Sequence, residues 1–271
     1  MEPEAQPTVA RFDDVAEVYD AARPTLPLVI VDILTTMASV PRPRLVVDLG
    51  SGTGLSTLVW ADRALHVIGV EPNPEMRAQA ERRARSVGAE KTVTFCPGLA
   101  AETGLPSASA DIVTCSQSLH WMEPDATFAE VDRILRPGGV FAAIDCDWPP
   151  TIEPEIDMAY AAFMDRAANL EEQLGINRDV PRWSKSQHLT RMRGCGRFRF
   201  CKEVLVHGIE SGSADRLIAL ARSFGCVATI LRRGRSEEDI GIPALEEIAR
   251  RVLGSRVAPW YFSYRVRLGI K

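Results

Sequence analysis

Asp48 opens the stretch of this chain best equipped for chemistry. Asp48, Gly50, Gly52 and Gly54 occupy every second position in Val46-Val47-Asp48-Leu49-Gly50-Ser51-Gly52-Thr53-Gly54. Glu71 follows about 20 residues after the first glycine, at the end of a second apolar run, His66 to Val70. Glycine lets a backbone turn tightly and lets a ligand approach it. Beyond the glycines, Leu55, Leu58, Val59 and Ala61 predict the buried side of a short helix over 55–63. The start of such a helix offers unspent N–H groups. A carboxylate at the end of the second strand can accept hydrogen bonds from both hydroxyls of a ribose. A strand, a glycine turn, a helix start and a terminal acid together make a pocket for a nucleotide-like ligand.

Two cofactor classes use that layout. The dinucleotide fingerprint, G-x-G-x-x-G, would need a small third residue where this chain has Leu55. Asp48, two residues before the first glycine, would repel a pyrophosphate and suits a cationic ligand end such as an amino group. Asp48-x-Gly50-x-Gly52-x-Gly54 with Glu71 resembles the first two motifs of the class I S-adenosylmethionine-dependent methyltransferases. Gly98 to Pro106, Asp111 to Trp121 and the turn Leu135-Arg136-Pro137-Gly138-Gly139 extend the resemblance over roughly residues 10–147, beyond which it fades. Gln117-x-x-His120-Trp121 and Tyr19-x-x-x-Arg23-Pro24 look like the trans-aconitate methyltransferase branch of the family.

The resemblance implies S-adenosyl-L-methionine as cofactor and a small-molecule methyl acceptor. The methionine half would lie on Gly50, Ser51, Gly52 and Thr53, with Asp48 near its amino group. Glu71 would hold the ribose diol beside Pro72. Leu99 and Ala100 would line the adenine pocket, without the acid that the family often carries there. Met76 could lie on the adenine or face the core. Ser116, Gln117 and Trp121 would stand at the exit of the fourth strand, near the methyl group. Tyr19 and Arg23 would reach the cofactor or acceptor from an N-terminal lid, or Tyr19 would serve as an aromatic staple. His120 is either a general base or a residue that positions Trp121. The acceptor atom is a carboxylate or hydroxyl oxygen on this reading. Modification of RNA or protein, and C- or N-methylation of a secondary metabolite, are the alternatives.

Strands alternate with helices around these residues. Strands are expected at 45–49, 66–70, 92–96, 111–115 and 139–145, and helices at 55–63, 73–87 and 125–135. Alternation of this kind predicts an α/β fold, a doubly wound, mostly parallel sheet. With the resemblance it becomes the seven-stranded, Rossmann-like methyltransferase sheet. Before it, Leu26, Val29, Ile30, Ile33, Leu34 and Met37 space out one buried helix face. After Pro150 the alternation breaks. A helix of about 20 residues runs from Ile156 to Leu174. A strand (198–206), helices (214–224 and 237–253) and an alternating strand from Trp260 to Leu268 complete the chain. The last strand should close the sheet antiparallel. This divides the chain into a cofactor-binding core with its lid (1–150), a helical cap (151–195) and late elements that complete the same domain (196–271).

Composition sets the remaining bounds. The chain has 271 residues, 46% hydrophobic and 25% charged, as an ordinary globular protein has. No apolar run approaches the ~18 residues of a membrane span, and the acidic start does not read as a signal peptide, so a cytoplasmic protein is expected. The six cysteines form no C-x-x-C pair, and the histidines show no metal spacing, so neither disulfides nor a metal site is expected. Residues 1–150 carry 12 basic and 21 acidic side chains, whereas 151–271 carry 20 and 15. Between Pro181 and Lys202 there are seven basic side chains and no acid. That stretch is either a solvated face or the place where an anionic acceptor is held, with Arg23, Arg182, Arg191 and Arg193 as candidate carboxylate forks. The acidic balance of the whole chain, and the absence of any RNA-binding module, argue against a nucleic-acid partner.

Overall fold

A computed structural model describes residues 22–176 and 181–271. Helix α1 (Leu28–Met37) buries Ile30, Val31 and Leu34; Ile30 and Leu34 belong to the face that the spacing selects, whereas Val29 of that face is exposed and Val31 is buried in its place. Strand β1 (Leu45–Leu49) follows, then β2 (His66–Val70), α2 (Pro74–Ser86), β3 (Val93–Cys96), β4 (Ala110–Ser116), α3 (Pro124–Ile134) and β5 (Leu135–Thr151). The later elements are α4 (Pro154–Gln173), α5 (His188–Gly194), β6 (Phe200–Gly212), α6 (Ala214–Arg222), α7 (Gly225–Arg232), α8 (Glu237–Ile240), α9 (Ile242–Leu253) and β7 (Ala258–Ile270).

All seven strands form one sheet in the order β3-β2-β1-β4-β5-β7-β6. Strands β1 to β5 are parallel, with Leu49 opposite Val70 and Val47 opposite Val113. The C-terminal strands run antiparallel: Lys271 N–H donates to Gly139 O at 3.0 Å, and Arg199 N–H to Ile270 O at 2.9 Å. Strand order reverses between β1 and β4. A doubly wound sheet opens its ligand crevice there, at the carboxyl ends of the strands.

Two compact units share this chain. One gathers residues 25–146, 182–206 and 264–271. Its core includes Val47, Leu49, Val113, Phe128 and Phe141, with the Phe198 ring stacked on Phe141 at 5.8 Å. The other gathers the described residues of 1–24, 147–181 and 207–263. There α4 packs against α7, α8 and α9 through a face that buries Ile156, Tyr160, Phe163 and Ala167. The cap expected at 151–195 is therefore cut in two. Its long helix goes with α6 to α9, and its basic stretch goes with the parallel strands. The single helix expected over 237–253 breaks at Gly241, whose φ of +90° ends α8 and begins α9. The helix expected over 55–63 is a run of turns with one 3-10 turn, Leu58–Trp60. Trp60 and Thr57 are its buried residues, while Leu55, Leu58, Val59 and Ala61 are half-buried.

Candidate functional site

The glycine turn leaves β1 and stays bound to β2, since Gly50 and Ser51 N–H both donate to Val70 O, at 2.8 and 3.2 Å. Gly50, Gly52 and Gly54 all have positive φ, at +66°, +55° and +83°. They differ in what surrounds them. A Cβ on Gly50 would lie 2.7 Å from Ser118 Cβ, and one on Gly54 would lie 2.9 Å from Phe95 Cζ. A Cβ on Gly52 would meet nothing within 4 Å among the described residues. Two of the three glycines are therefore packed, and the middle one borders open space.

Glu71 stands beside that space. Its Oε2 accepts from Gly52 N–H at 2.8 Å and its Oε1 from Asn73 N–H at 2.9 Å. Each carboxylate oxygen has about two acceptor positions, so each keeps one for a ligand hydroxyl. Burial pushes the Glu71 carboxyl above the ordinary range, while the Asn73 and Gly52 donors and the Arg77 charge oppose that shift. Ser51 Oγ and Thr53 Oγ1 are buried and have no hydrogen-bond partner among the described residues. Polar atoms left unpaired in this way cost free energy unless a ligand or water pairs them.

Asp48 is held by hydroxyls of the chain itself. Its side chain is wholly buried. One oxygen accepts from Ser56 and Thr57 hydroxyls, at 2.8 and 2.7 Å, and the other from Thr114 Oγ1 at 2.8 Å. Burial raises its pKa, against the pull of those three hydroxyls. Asp48 thus ties β1 to β4 and to the turn after the glycines.

The remaining residues of the β2–β3 side line up as follows. Met76 is 4% exposed, at the start of α2. Pro72 O and Glu71 O both accept from Arg77 Nη1. Leu99 is half-buried and its O accepts from Glu102 N–H at 3.1 Å, while Ala100 packs against the core. The loop that holds Leu99 and Ala100 is pinned by a group that sequence reasoning missed. Glu130 on α3 accepts from Thr103 N–H at 2.9 Å and Thr103 Oγ1 at 2.5 Å, and from Arg133 Nε and Nη2 at 2.7 Å.

At the exit of β4, Ser116 is half-buried and ends the strand. Gln117 has φ of +55°, uncommon for a residue with a side chain. Its N–H donates to Ile144 O at 2.8 Å. Ser118 Oγ donates to Leu49 O at 2.7 Å and so ties this exit to the glycine turn. His120 is buried, with its ring 4.7 Å from that of Trp121, and His120 O accepts from Trp183 N–H at 2.9 Å. Arg182 lies over the Trp121 ring at 5.1 Å. Lys185 Nζ donates to Gln117 Oε1 at 2.7 Å and pairs with Asp145 Oδ1 at 3.0 Å. Asp145 also accepts from Arg267 at 2.7 Å, and His188 stands 4.0 Å from it. Lys185, Asp145 and His188 were missed. Their signal was the position of Asp145 on β5, one residue past Ile144, which pairs with Ser116 at the end of β4.

Two lid residues remain. Arg23 belongs to the helical unit, where it donates to Ser223 Oγ at 3.0 Å and lies over the Phe224 and Trp148 rings. Tyr19 lies outside the described residues. Of the arginine forks, Arg191 donates to Ser184 O at 3.1 Å, and Arg193 lies in the last turn of α5.

Residues 47–143 match the family described as "Methyltransferase domain". An uncharacterized methyltransferase of Mycobacterium tuberculosis is 38% identical over 128 residues, which are 47% of this chain and 49% of that protein. A Saccharomyces cerevisiae protein named as an S-adenosylmethionine-dependent methyltransferase is 32% identical over 126 residues, 46% of this chain and 43% of that one. The chain thus spans about half the length of the curated relatives it matches. A solved structure named as a type II methyltransferase, from Anaeromyxobacter dehalogenans, shares 25% identity at a TM-score of 0.65, covering 92% of this chain and 97% of that one. The matched residues run from β1 into β5. They are similar to a methyltransferase domain, they lie in a sheet of the Rossmann-like methyltransferase kind, and they hold the glycine turn, Glu71 and the β4 exit.

Proposed function

We propose that the chain transfers a methyl group from S-adenosyl-L-methionine to a small-molecule acceptor. The observation that carries this reading is the open space at Gly52, bordered by Glu71 and by the unpaired Ser51 and Thr53 hydroxyls. The donor set suits the cofactor. Glu71 keeps acceptor positions for a ribose diol, and Ser51 and Thr53 offer hydroxyls to a polar amino-acid end. Leu99 and Ala100 supply a half-buried apolar wall for a purine. When bound, the cofactor supplies an electrophilic methyl on a sulfonium.

The chain's own part is to bind, orient and exclude water. Methyl transfer requires the nucleophile, methyl carbon and sulfur to lie in line, and such orientation can be worth about 7–11 kcal/mol. Gln117, Ser118 and the Leu119–Trp121 turn form the wall at the strand ends where that line would run. His120 is enclosed between Trp121 and the Trp183 backbone, which suits a residue that positions Trp121. Fold alone does not choose the acceptor.

The test is calorimetry with S-adenosylhomocysteine. One site per chain is expected. Glu71→Ala should weaken binding by about 1.5–3 kcal/mol, the range for hydrogen bonds to a charged group. Preference for NAD over S-adenosylhomocysteine would overturn the reading. In a turnover assay, His120→Asn should keep most of the rate and the shape of the pH profile. A loss of 10² or more with a vanished acidic limb would instead make His120 a general base.

A further inference from the structure

Ser118 holds the N-cap position of the Leu119–Trp121 turn. A serine there ordinarily offers its hydroxyl to the turn's own free N–H groups. This one makes no side-chain cap bond. Its Oγ donates instead to Leu49 O, at 2.7 Å and 69 positions away in the chain. Its main-chain O accepts from Trp121 N–H at 3.0 Å. One buried residue is thus bonded to the end of β1 by its side chain, and to the turn that carries His120 and Trp121 by its backbone.

The ladder between β1 and β4 runs as far as Asp48 and Thr114. It stops where a doubly wound sheet opens its crevice, and there Ser118 bridges β1 to the β4 exit. Packing reinforces the bridge. A Cβ on Gly50 would lie 2.7 Å from Ser118 Cβ and 2.8 Å from Met122 Cε, so the Gly50 backbone is seated against both. Met122 belongs to the exit as well: Cys115 Sγ donates to its Sδ at 3.9 Å, and its N–H donates to Leu119 O at 3.1 Å. On its other side the glycine turn is held by Val70 O, through Gly50 and Ser51 N–H. The exit has an anchor of its own, since Gln117, at φ of +55°, donates its N–H to Ile144 O at 2.8 Å. Two elements anchored on different strands therefore meet at one hydroxyl and one glycine.

We propose that Ser118 is a positioning residue that couples the glycine turn to the Leu119–Trp121 turn, so that cofactor on the first orders the wall that faces the methyl acceptor. This rests on the methyltransferase reading and adds to it a residue that acts through its neighbours. In-line transfer needs the methyl donor and the acceptor's wall in one fixed relation. A hydrogen bond from the wall to the strand that carries the turn supplies that relation. The coupling is reciprocal, so a molecule held against the wall also tightens the cofactor.

The test is amide hydrogen exchange on the full chain, read by mass spectrometry with and without saturating S-adenosylhomocysteine. In the unaltered chain the ligand should slow exchange by about fivefold or more in two peptides, one covering 49–54 and one covering 117–122. Ser118→Ala should keep the slowing over 49–54 and lose it over 117–122. Ser118→Cys should do the same, because a thiol fills the place of the hydroxyl but is a weak donor. Should Ser118→Ala fail to fold, Ser118→Cys decides. A serine that served stability alone would lower the unfolding temperature of both variants and leave the ligand's effect on 117–122 intact. Calorimetry on each variant sets the concentration that saturates it. Slowing over 117–122 that persists in either variant, or that the unaltered chain never shows while the ligand binds, overturns the proposal. Failure of S-adenosylhomocysteine to bind the unaltered chain overturns the methyltransferase reading, and the coupling with it.

Discussion

Glu130 takes donors from two directions, Thr103 on one side and Arg133 on the other, and its pKa falls from 4.5 to about 2. The hydrogen bond from Arg133 is the largest cause, with Thr103 adding to it against desolvation. A carboxylate with a depressed folded-state pKa stabilises the fold fully above its unfolded value and loses that contribution as pH falls through the folded one. The window is therefore pH 4.5 down to about 2. Glu130→Gln should be less stable than the unaltered chain at pH 7, and urea titrations should show the gap closing across that window. A gap that is constant with pH would mean that Glu130 acts by shape alone. Asp48 and Glu71 have the opposite sign, because burial raises both. Their charged forms are disfavoured by folding, so they contribute stability at low pH that is lost as pH rises through their folded values. Residue types at the glycine turn were legible, since an acid spaced from glycines has few uses. Their directions were not. The sequence shows that Asp48 is an acid but does not show that Ser56, Thr57 and Thr114 will surround it, because Thr114 comes from a strand 66 positions away.

The glycine turn tests the element scale, because its three glycines do different work under the same backbone requirement. Gly54→Ala adds a clash to strain: φ is +83°, and the new Cβ would lie 2.9 Å from Phe95 Cζ and 3.2 Å from Ala80 Cβ. Overpacking costs about 1–3 kcal/mol, on top of roughly 1–2 kcal/mol for a left-handed alanine. Gly52→Ala bears only the second cost, since its Cβ points into open space. Thermal denaturation should therefore rank Gly54→Ala below Gly52→Ala. Calorimetry should show S-adenosylhomocysteine affinity falling at least tenfold in Gly52→Ala, because the methyl group occupies the ligand's side of the turn. Unchanged affinity there would mean that the ligand lies elsewhere. Most elements were legible in periodicity: α2, with Asn73 capping and Pro74 at its start, and β7, with its alternating face, fall within a residue or two of expectation. The turns at 55–63 and the break at Gly241 were not. In the first, Ser56 and Thr57 put their hydroxyls on Asp48, and the chain closes as successive turns with a single 3-10 turn. In the second, an apolar spacing continues across a glycine that the backbone uses to change direction. Helix α7 was unread because its eight residues are too few to establish a period.

At the scale of the whole molecule, the mostly parallel sheet and its antiparallel closure followed from alternation and from the resemblance, whereas the strand order and the division into two units did not. Strands β5, β6 and β7 run through both, so no linker marks the boundary in the sequence. The charge asymmetry was legible, but its meaning depended on where each cation ends up. Seven basic side chains without an acid between 181 and 202 could form a comb for phosphates. Five of them instead have partners within their own unit. Arg182 lies on Trp121, Lys185 bridges Gln117 and Asp145, and Arg191 donates to Ser184 O. Arg197 lies 3.6 Å from Asp132, and Arg199 Nε donates to Lys271 O at 3.3 Å. A cation that binds nucleic acid must exchange such a partner for a phosphate, and each phosphate neutralised adds about 0.7 to the salt slope on a single strand. Few exchanges give a shallow slope and weak binding. The chain's net charge of −4 adds long-range repulsion. Fluorescence anisotropy with labelled poly(U) at 50 and 200 mM salt should therefore show little binding even at the lower salt, and a slope near zero. Lys185→Met should not change it. Tight binding with a slope of several units, reduced by charge removal within 181–202, would defeat this account. The basic stretch would then be a nucleic-acid surface, and RNA would become the acceptor to test.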